Sequence, residues 1–288
     1  MTAPHPRIAI LIDGAFFLKR LPRVAPAKYC GTPEQIVASL RYMCRKHVSR
    51  LAGVEPSAWA QHVHRIFFYD AEPFAEKRHH PLTNQQIDYD QSDIATQRRA
   101  IFDLLRRQRK VALRLGKVNA SKDWAIPPRR TKKLLRTKQR IAALNRLGSL
   151  EDAESLDREV PLSLSPAEVQ DLIRMRDEWD ALPDHEVQPD FKQKGVDMRI
   201  GIDTAHLADK GLVDTIILIA GDSDFVPAAK HARRNGVDFI LDPLWQSVNN
   251  DLFEHIDGLQ SGLPKPGGAS NETSGESKTR RGTTKPDA

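Results

Sequence analysis

The chain has 288 residues, 44 Lys+Arg against 38 Asp+Glu, a formal charge of +6 and a pI near 9.3. That length fits one large domain or two small ones, and 40% apolar with 28% charged residues is an ordinary globular composition. Two cysteines, Cys30 and Cys44, exclude a disulfide framework or a cysteine metal cluster, no apolar run reaches the roughly 18 residues of a membrane span, and the five-residue run before Asp13 is too short for a signal peptide. The expected setting is a reducing cytoplasm, with no membrane partner.

In chain order, Ile8–Ile12 is a continuous apolar run that reads as a strand buried on both faces. Pro33–Ala52 repeats apolar residues at helical spacing. Ile66–Tyr69 reads as a second buried strand, and Asp93–Arg107 as a helix. Val111–Val118 alternates and predicts a strand nearer an edge. From Asn119 to Asp190 no strand-like run occurs, so the segment reads as a helical insertion, basic first and then acidic. Leu134, Leu135, Ile141, Leu144 and Leu147 form a helical stripe in it. Ser165-Pro166-Ala167-Glu168 predicts a capped helix start. Thr215–Ala220, Val226–Arg234 and Val237–Leu241 complete a strand–helix–strand pattern, with Asn235-Gly236 as helix stop. Such alternation predicts an α/β fold with a central parallel sheet. The domain expectation is 1–260, with 119–190 as insertion and 261–288 as a disordered tail.

Charge is concentrated. Arg98–Lys117 holds eight basic residues and one acid, and Arg129–Arg146 holds eight basic residues and none. Such blocks suit a polyanion, usually nucleic acid, although a solvated helix face gives the same pattern. Arg129, Arg130, Lys132, Lys133, Arg136 and Lys194 are the candidate nucleic-acid contacts.

Acids stand where the strands end. Asp13-Gly14 follows the first strand, Gly221-Asp222-Ser223-Asp224 follows the Thr215–Ala220 strand, and Lys194-Gly195-Val196-Asp197 opens a helix over Met198–Ala208. Ligands of open α/β sheets bind beyond the carboxyl ends of strands, at the topological switch point. Carboxylates gathered there repel unless a cation joins them. Oxygen ligands without His or Cys favour Mg²⁺ or Mn²⁺. Any one acid alone reads better as a turn or helix cap, with Ser223 or Asp224 capping the helix that follows, whereas Gly-Asp-Ser-Asp after one buried strand and Asp13 after another read better together as a metal site.

The ordered set of Asp13 after an apolar strand, Lys194-Gly-Val-Asp197-Met-Arg-Ile-Gly-Ile-Asp203, and Gly221-Asp222-Ser223-Asp224-Phe225-Val-Pro227 resembles the NYN domain family, PIN-like nucleases that include LabA-like proteins. The resemblance covers the first strand and Lys192 to about Asp257. It implies a PIN-like three-layer sandwich and a metal-dependent endoribonuclease, with Asp13, Asp197, Asp222 and Asp224 as catalytic and metal-binding residues holding Mg²⁺ or Mn²⁺. RNA, ahead of DNA, is the implied substrate, and we expect it to be single-stranded. One departure stands out: many members carry Asn about three residues after the first Asp, and here Phe16 takes that place.

Lesser candidates are Asp203, which lies about 600° around a helix from Asp197, Asp70 and Asp242 at other strand ends, and Lys192. The pair His79-His80 is poorly disposed for one ion, and Trp124 suits packing as well as base stacking. Two rival readings stay open. One is a catalytically weak or inactive PIN-like RNA-binding module, which Phe16 favours. The other is a different metal–phosphate enzyme, but a Toprim-type site wants Glu on the first strand, and a haloacid-dehalogenase-type site wants an acid where Ala15 stands. No P-loop or Gly-x-Gly-x-x-Gly motif is present. Exposed parts of the insertion serve as well for a homo-oligomer surface as for a substrate channel.

Overall fold

The computed structural model describes residues 6–144 and 164–266. Its elements begin with β1 (Ile8–Asp13), α1 (Gly14–Val24), α2 (Pro33–Ala52), α3 (Trp59–His62) and β2 (Val63–Glu72). A small hairpin follows, β3 (Lys77–His79) and β4 (Gln86–Asp88), then α4 (Asp93–Arg106), β5 (Val111–Ala125) and α5 (Pro128–Arg136). The remainder is α6 (Pro166–Asp180), β6 (Gln188–Lys194), α7 (Val196–Asp209), β7 (Thr215–Ile219), α8 (Val226–Arg234), β8 (Asp238–Asp242), α9 (Asn250–Phe253) and β9 (Gly258–Leu259). The chain divides into two compact units, Met1–Tyr69 with Leu104–Leu113 and Asp197–Ala288, and Asp70–Asp103 with Arg114–Val196.

The first unit is a parallel sheet in the order β2-β1-β7-β8-β9. Ile8–Ile12 and Ile216–Ile219 are wholly buried, as strands covered on both faces must be, which gives the three-layer α/β arrangement of a PIN-like sandwich. After β1 the chain builds outward to β2 on one side, and β7 returns to pair on the other, so β1 and β7 flank the switch point. The register sets Ile12 opposite Ile219, Asp13 opposite Tyr69, and Ile219 opposite Asp242.

The helices that cover this sheet start and stop on local signals. Helix α2 opens on a Thr32–Gln35 capping box with Pro33 at its first position, and it closes on Gly53 at φ +62°. Its buried stripe includes Ile36, Leu40, Met43 and Val48. Helix α1 is not anticipated from the sequence. Its apolar stripe is short (Phe17, Leu21, Val24), Pro22 lies inside it, and its N-cap is a strand-end acid, Asp13.

The second unit holds the β3–β4 hairpin and an antiparallel pair, β5 and β6. Here the structure corrects the expectation of a purely helical segment over 119–190. Strand β5 runs on to Ala125, and Gln188–Lys194 is a strand paired to it, with Lys117 opposite Lys194. Strand β6 escapes a hydrophobicity reading because its sequence, Gln-Pro-Asp-Phe-Lys-Gln-Lys, is mostly exposed and has no apolar alternation. The Ser165–Glu168 capping box at the start of α6 is as expected. The expected stripe divides between α5 and a 3₁₀ segment, Thr137–Leu144, and Leu147 lies outside the described residues. Leu134, Leu182 and Val187 form a small core, against which Trp124 and Ile126 pack. The expected tail falls mostly at 267–288, outside the described residues.

Candidate active site

Asp13 ends β1 and begins α1. Its Oδ1 accepts from the Phe16 N–H at 3.0 Å, so the carboxylate is the helix cap. Gly14 follows because the turn is crowded. A Cβ there would lie 2.7 Å from the Tyr69 carbonyl oxygen and collide with the Phe68 ring. Asp222 has the same role at the end of the neighbouring strand, and its Oδ1 accepts from the Asp224 N–H at 3.1 Å, capping the 3₁₀ turn Ser223–Phe225. The helix that follows, α8, has Phe225 at its N-cap and no side-chain cap, so neither Ser223 nor Asp224 caps it. Capping uses one oxygen and orients the carboxylate, so the turn role and a ligand role are compatible.

Asp197 stands in the first turn of α7. Burial raises the pKa of its carboxyl, and the charges of Asp222 and Asp224 push it further the same way. Asp197, Asp222 and Asp224 therefore share one electrostatic environment, with Asp13 at the adjoining strand end through the β1–β7 register. All four belong to the first unit. Among the described residues no three His, Cys, Asp or Glu side chains are gathered as a ready-made ligand shell. The donor chemistry nonetheless fits a hard divalent cation, since the acids offer only oxygen and already repel one another.

Asp203 accepts from the Tyr69 hydroxyl at 2.9 Å, and the Tyr69 side chain is fully buried. Sequence spacing ranks Asp203 low, and Tyr69 goes unnoticed as a polar group because it ends an apolar run. Phe16 is half-buried and packs its ring against Gly221, where a Cβ would run into the ring. That same Cβ would come within 2.9 Å of the Gln246 Nε2.

Gln246 arrives there on an unusual turn. Leu244 and Trp245 have φ of +46° and +62°, a left-handed backbone that bulky residues rarely adopt. Buried Asp242 holds this turn, its Oδ1 accepting from the Leu244 N–H (2.8 Å) and the Ser261 hydroxyl (2.9 Å). The other oxygen, Oδ2, accepts from the Gly262 N–H at 2.9 Å and lies 2.7 Å from His47 Nε2. Arg20 donates to the Leu244 carbonyl at 2.7 Å, the Gln246 N–H donates to the Pro243 carbonyl at 2.9 Å, and the Trp245 indole N–H donates to the Leu263 carbonyl at 2.9 Å. Asp242 is thus fully engaged as a turn anchor.

In the second unit, α5 carries Arg129, Arg130, Lys132, Lys133 and Arg136. Arg129 and Arg130 both pair with Glu186, the latter at 3.1 Å. Lys132 and Arg136 line a shallow open hollow of about 570 Å³ with Leu135 and Ile126. Lys194 sits on β6, and Lys192 pairs with Asp190 at 3.0 Å. Asp70 is buried and held by Arg98 and by Gln193 (3.0 Å), and burial raises its pKa against the opposing pull of Arg98. His80 lies 3.0 Å from the Asp184 carbonyl and 3.2 Å from that of Val187, and its ring meets Trp124 edge-on, so both rings are engaged in packing.

Acids stand just beyond the ends of β1 and β7, at the switch point of a parallel α/β sheet. Residues 172–253 match the NYN domain, a member of the PIN-like superfamily, and the matched stretch contains Asp197, Asp222 and Asp224. It does not include Asp13 or α5. No curated protein matches the chain. A solved structure of a protein of unknown function from Vibrio parahaemolyticus is 13% identical, with a TM-score of 0.37 over 90% of this chain and 94% of that one. Among the described residues no helix is long and apolar enough to cross a membrane.

Proposed function

We propose that the chain is a metal-dependent endoribonuclease acting on single-stranded RNA. The observation that carries this reading is the raised carboxyl of Asp197, pushed up first by burial and then by the charges of Asp222 and Asp224, with Asp13 at the adjoining strand end. Repelling acids at a ligand-binding position cost stability, and an enzyme tolerates that cost where a cation is to be bound. Asp13, Asp197, Asp222 and Asp224 would hold one or two Mg²⁺ or Mn²⁺ ions. When bound, such ions orient a water and stabilise the attacking and leaving oxygens of an in-line displacement at phosphorus.

The residues themselves do the positioning. The Phe16 and Asp224 N–H groups fix one oxygen of Asp13 and of Asp222. Asp197 is mounted in the first turn of α7, a helix whose buried positions include Ile200. Lys132, Lys133, Arg136 and Lys194 would hold the phosphate backbone, with Arg129 and Arg130 contributing once they leave Glu186. Unpaired Cys30 and Cys44 suit a cytoplasmic setting.

A second reading, an RNA-binding module without turnover, is favoured by Phe16, whose ring brings no polar group to the site. Labelled single-stranded RNA and DNA of the same sequence, incubated with Mn²⁺, Mg²⁺ or EDTA, separate the two readings. Cutting of RNA that needs metal and disappears in Asp222→Asn supports the nuclease. Equal binding by both proteins with no cutting supports the module.

A further inference from the structure

The geometry points to Gln246 as a substrate-contacting residue, its carboxamide N–H donating to a phosphate oxygen of the nucleic acid held beside Asp222. The inference rests on the nuclease reading. Two consecutive bulky residues in left-handed backbone are strained, and such strain survives only where the surroundings over-determine it. Here they do. Leu244 is fully buried, its N–H bound by Asp242 and its carbonyl by Arg20, while the Trp245 indole is tied to Leu263. The exposed product of all this anchoring is Gln246. Its amide nitrogen is delivered against Gly221, the residue before Asp222, where only glycine leaves room for it.

The side-chain type also fits. A lysine or arginine at this place would pair with Asp222 or Asp224 and compete with a divalent cation. A carboxamide donates a hydrogen bond to a phosphate oxygen without neutralising the acids. Phe16, whose ring meets the same face of Gly221, contributes no donor, so the polar contact at this edge falls to Gln246.

The experiment compares wild type, Gln246→Ala, Gln246→Glu and Asp222→Asn for steady-state cleavage of a short labelled single-stranded RNA over a Mn²⁺ series, with thermal melting of each. Gln246→Ala is expected to lose about ten- to a hundredfold in kcat/KM, the scale of one hydrogen bond to a charged group. Its half-saturating Mn²⁺ concentration and melting temperature should stay those of wild type, which a merely structural role would not produce. Gln246→Glu keeps the shape but turns a donor into a charge facing phosphate, so it should lose more. Wild-type cleavage that Asp222→Asn abolishes and Gln246→Ala leaves within twofold overturns the proposal and keeps the nuclease. A wild-type chain that cuts nothing under any metal overturns the nuclease reading, and Gln246 as its substrate contact with it.

Discussion

Asp197 and Asp222 come from elements 25 residues apart in sequence (222 − 197), yet the charge of Asp222 helps to raise the Asp197 carboxyl above its ordinary range. Burial is the larger cause, and Asp224 adds to both. Removing the Asp222 charge should therefore lower the Asp197 pKa, and the carboxyl ¹³C shift of Asp197 followed against pH in Asp222→Asn checks this. An unmoved titration would mean that the two side chains do not share one environment.

The same shift has a sign for stability. A carboxyl whose pKa is raised on folding ionises at a cost to the folded state. The cost is absent below the unfolded value of about 3.9 and complete at neutral pH. Asp197→Asn should accordingly be more stable than wild type at pH 7. The gain should be at most about 1 kcal/mol, because the group is largely exposed and water screens its neighbours. It should fade as pH falls below about 4, and urea denaturation at the two pH values measures both.

Asp242 makes the opposite prediction. It accepts from Leu244, Ser261 and Gly262 and faces His47, with no exposure to solvent. Asp242→Ala leaves several buried donors without an acceptor and should cost at least about 3 kcal/mol. A loss under about 1 kcal/mol in denaturant titration would show that this buried network is not what secures the turn.

How much of this was legible beforehand follows from burial. β1, β7 and β8 announce themselves because strands covered on both faces are continuous apolar runs, and α2 and α6 because their caps are written in Thr32–Gln35 and Ser165–Glu168. The strand-end acids are legible for the same reason, since they interrupt those runs. Strand β6 is not, because an exposed strand needs no apolar alternation. Nor is α1, whose start is Asp13 itself and whose stripe is short. The Trp245–Gln246 turn is invisible because its conformation is imposed by Asp242, Arg20 and Leu263, none of which marks a left-handed backbone in sequence.

The basic residues of α5 give a salt-dependence prediction. If Lys132, Lys133 and Arg136 hold phosphates, replacing all three by Gln should weaken binding to single-stranded RNA. The slope of log K against log salt should become shallower by about 0.7 for each lost contact, or about 2 in all. Fluorescence anisotropy between low and moderate salt reads this, and an unchanged slope would place the nucleic acid elsewhere.

Everything proposed for the site depends on a divalent ion at the strand-end acids. Calorimetric titration of Mn²⁺ into the wild-type chain, Asp197→Asn and Asp222→Asn tests that without requiring any substrate. Wild type should bind saturably, each variant at least about tenfold more weakly, and only wild type should gain melting temperature with the ion. Mn²⁺ isotherms that are the same for all three proteins would rule out these acids as the metal ligands.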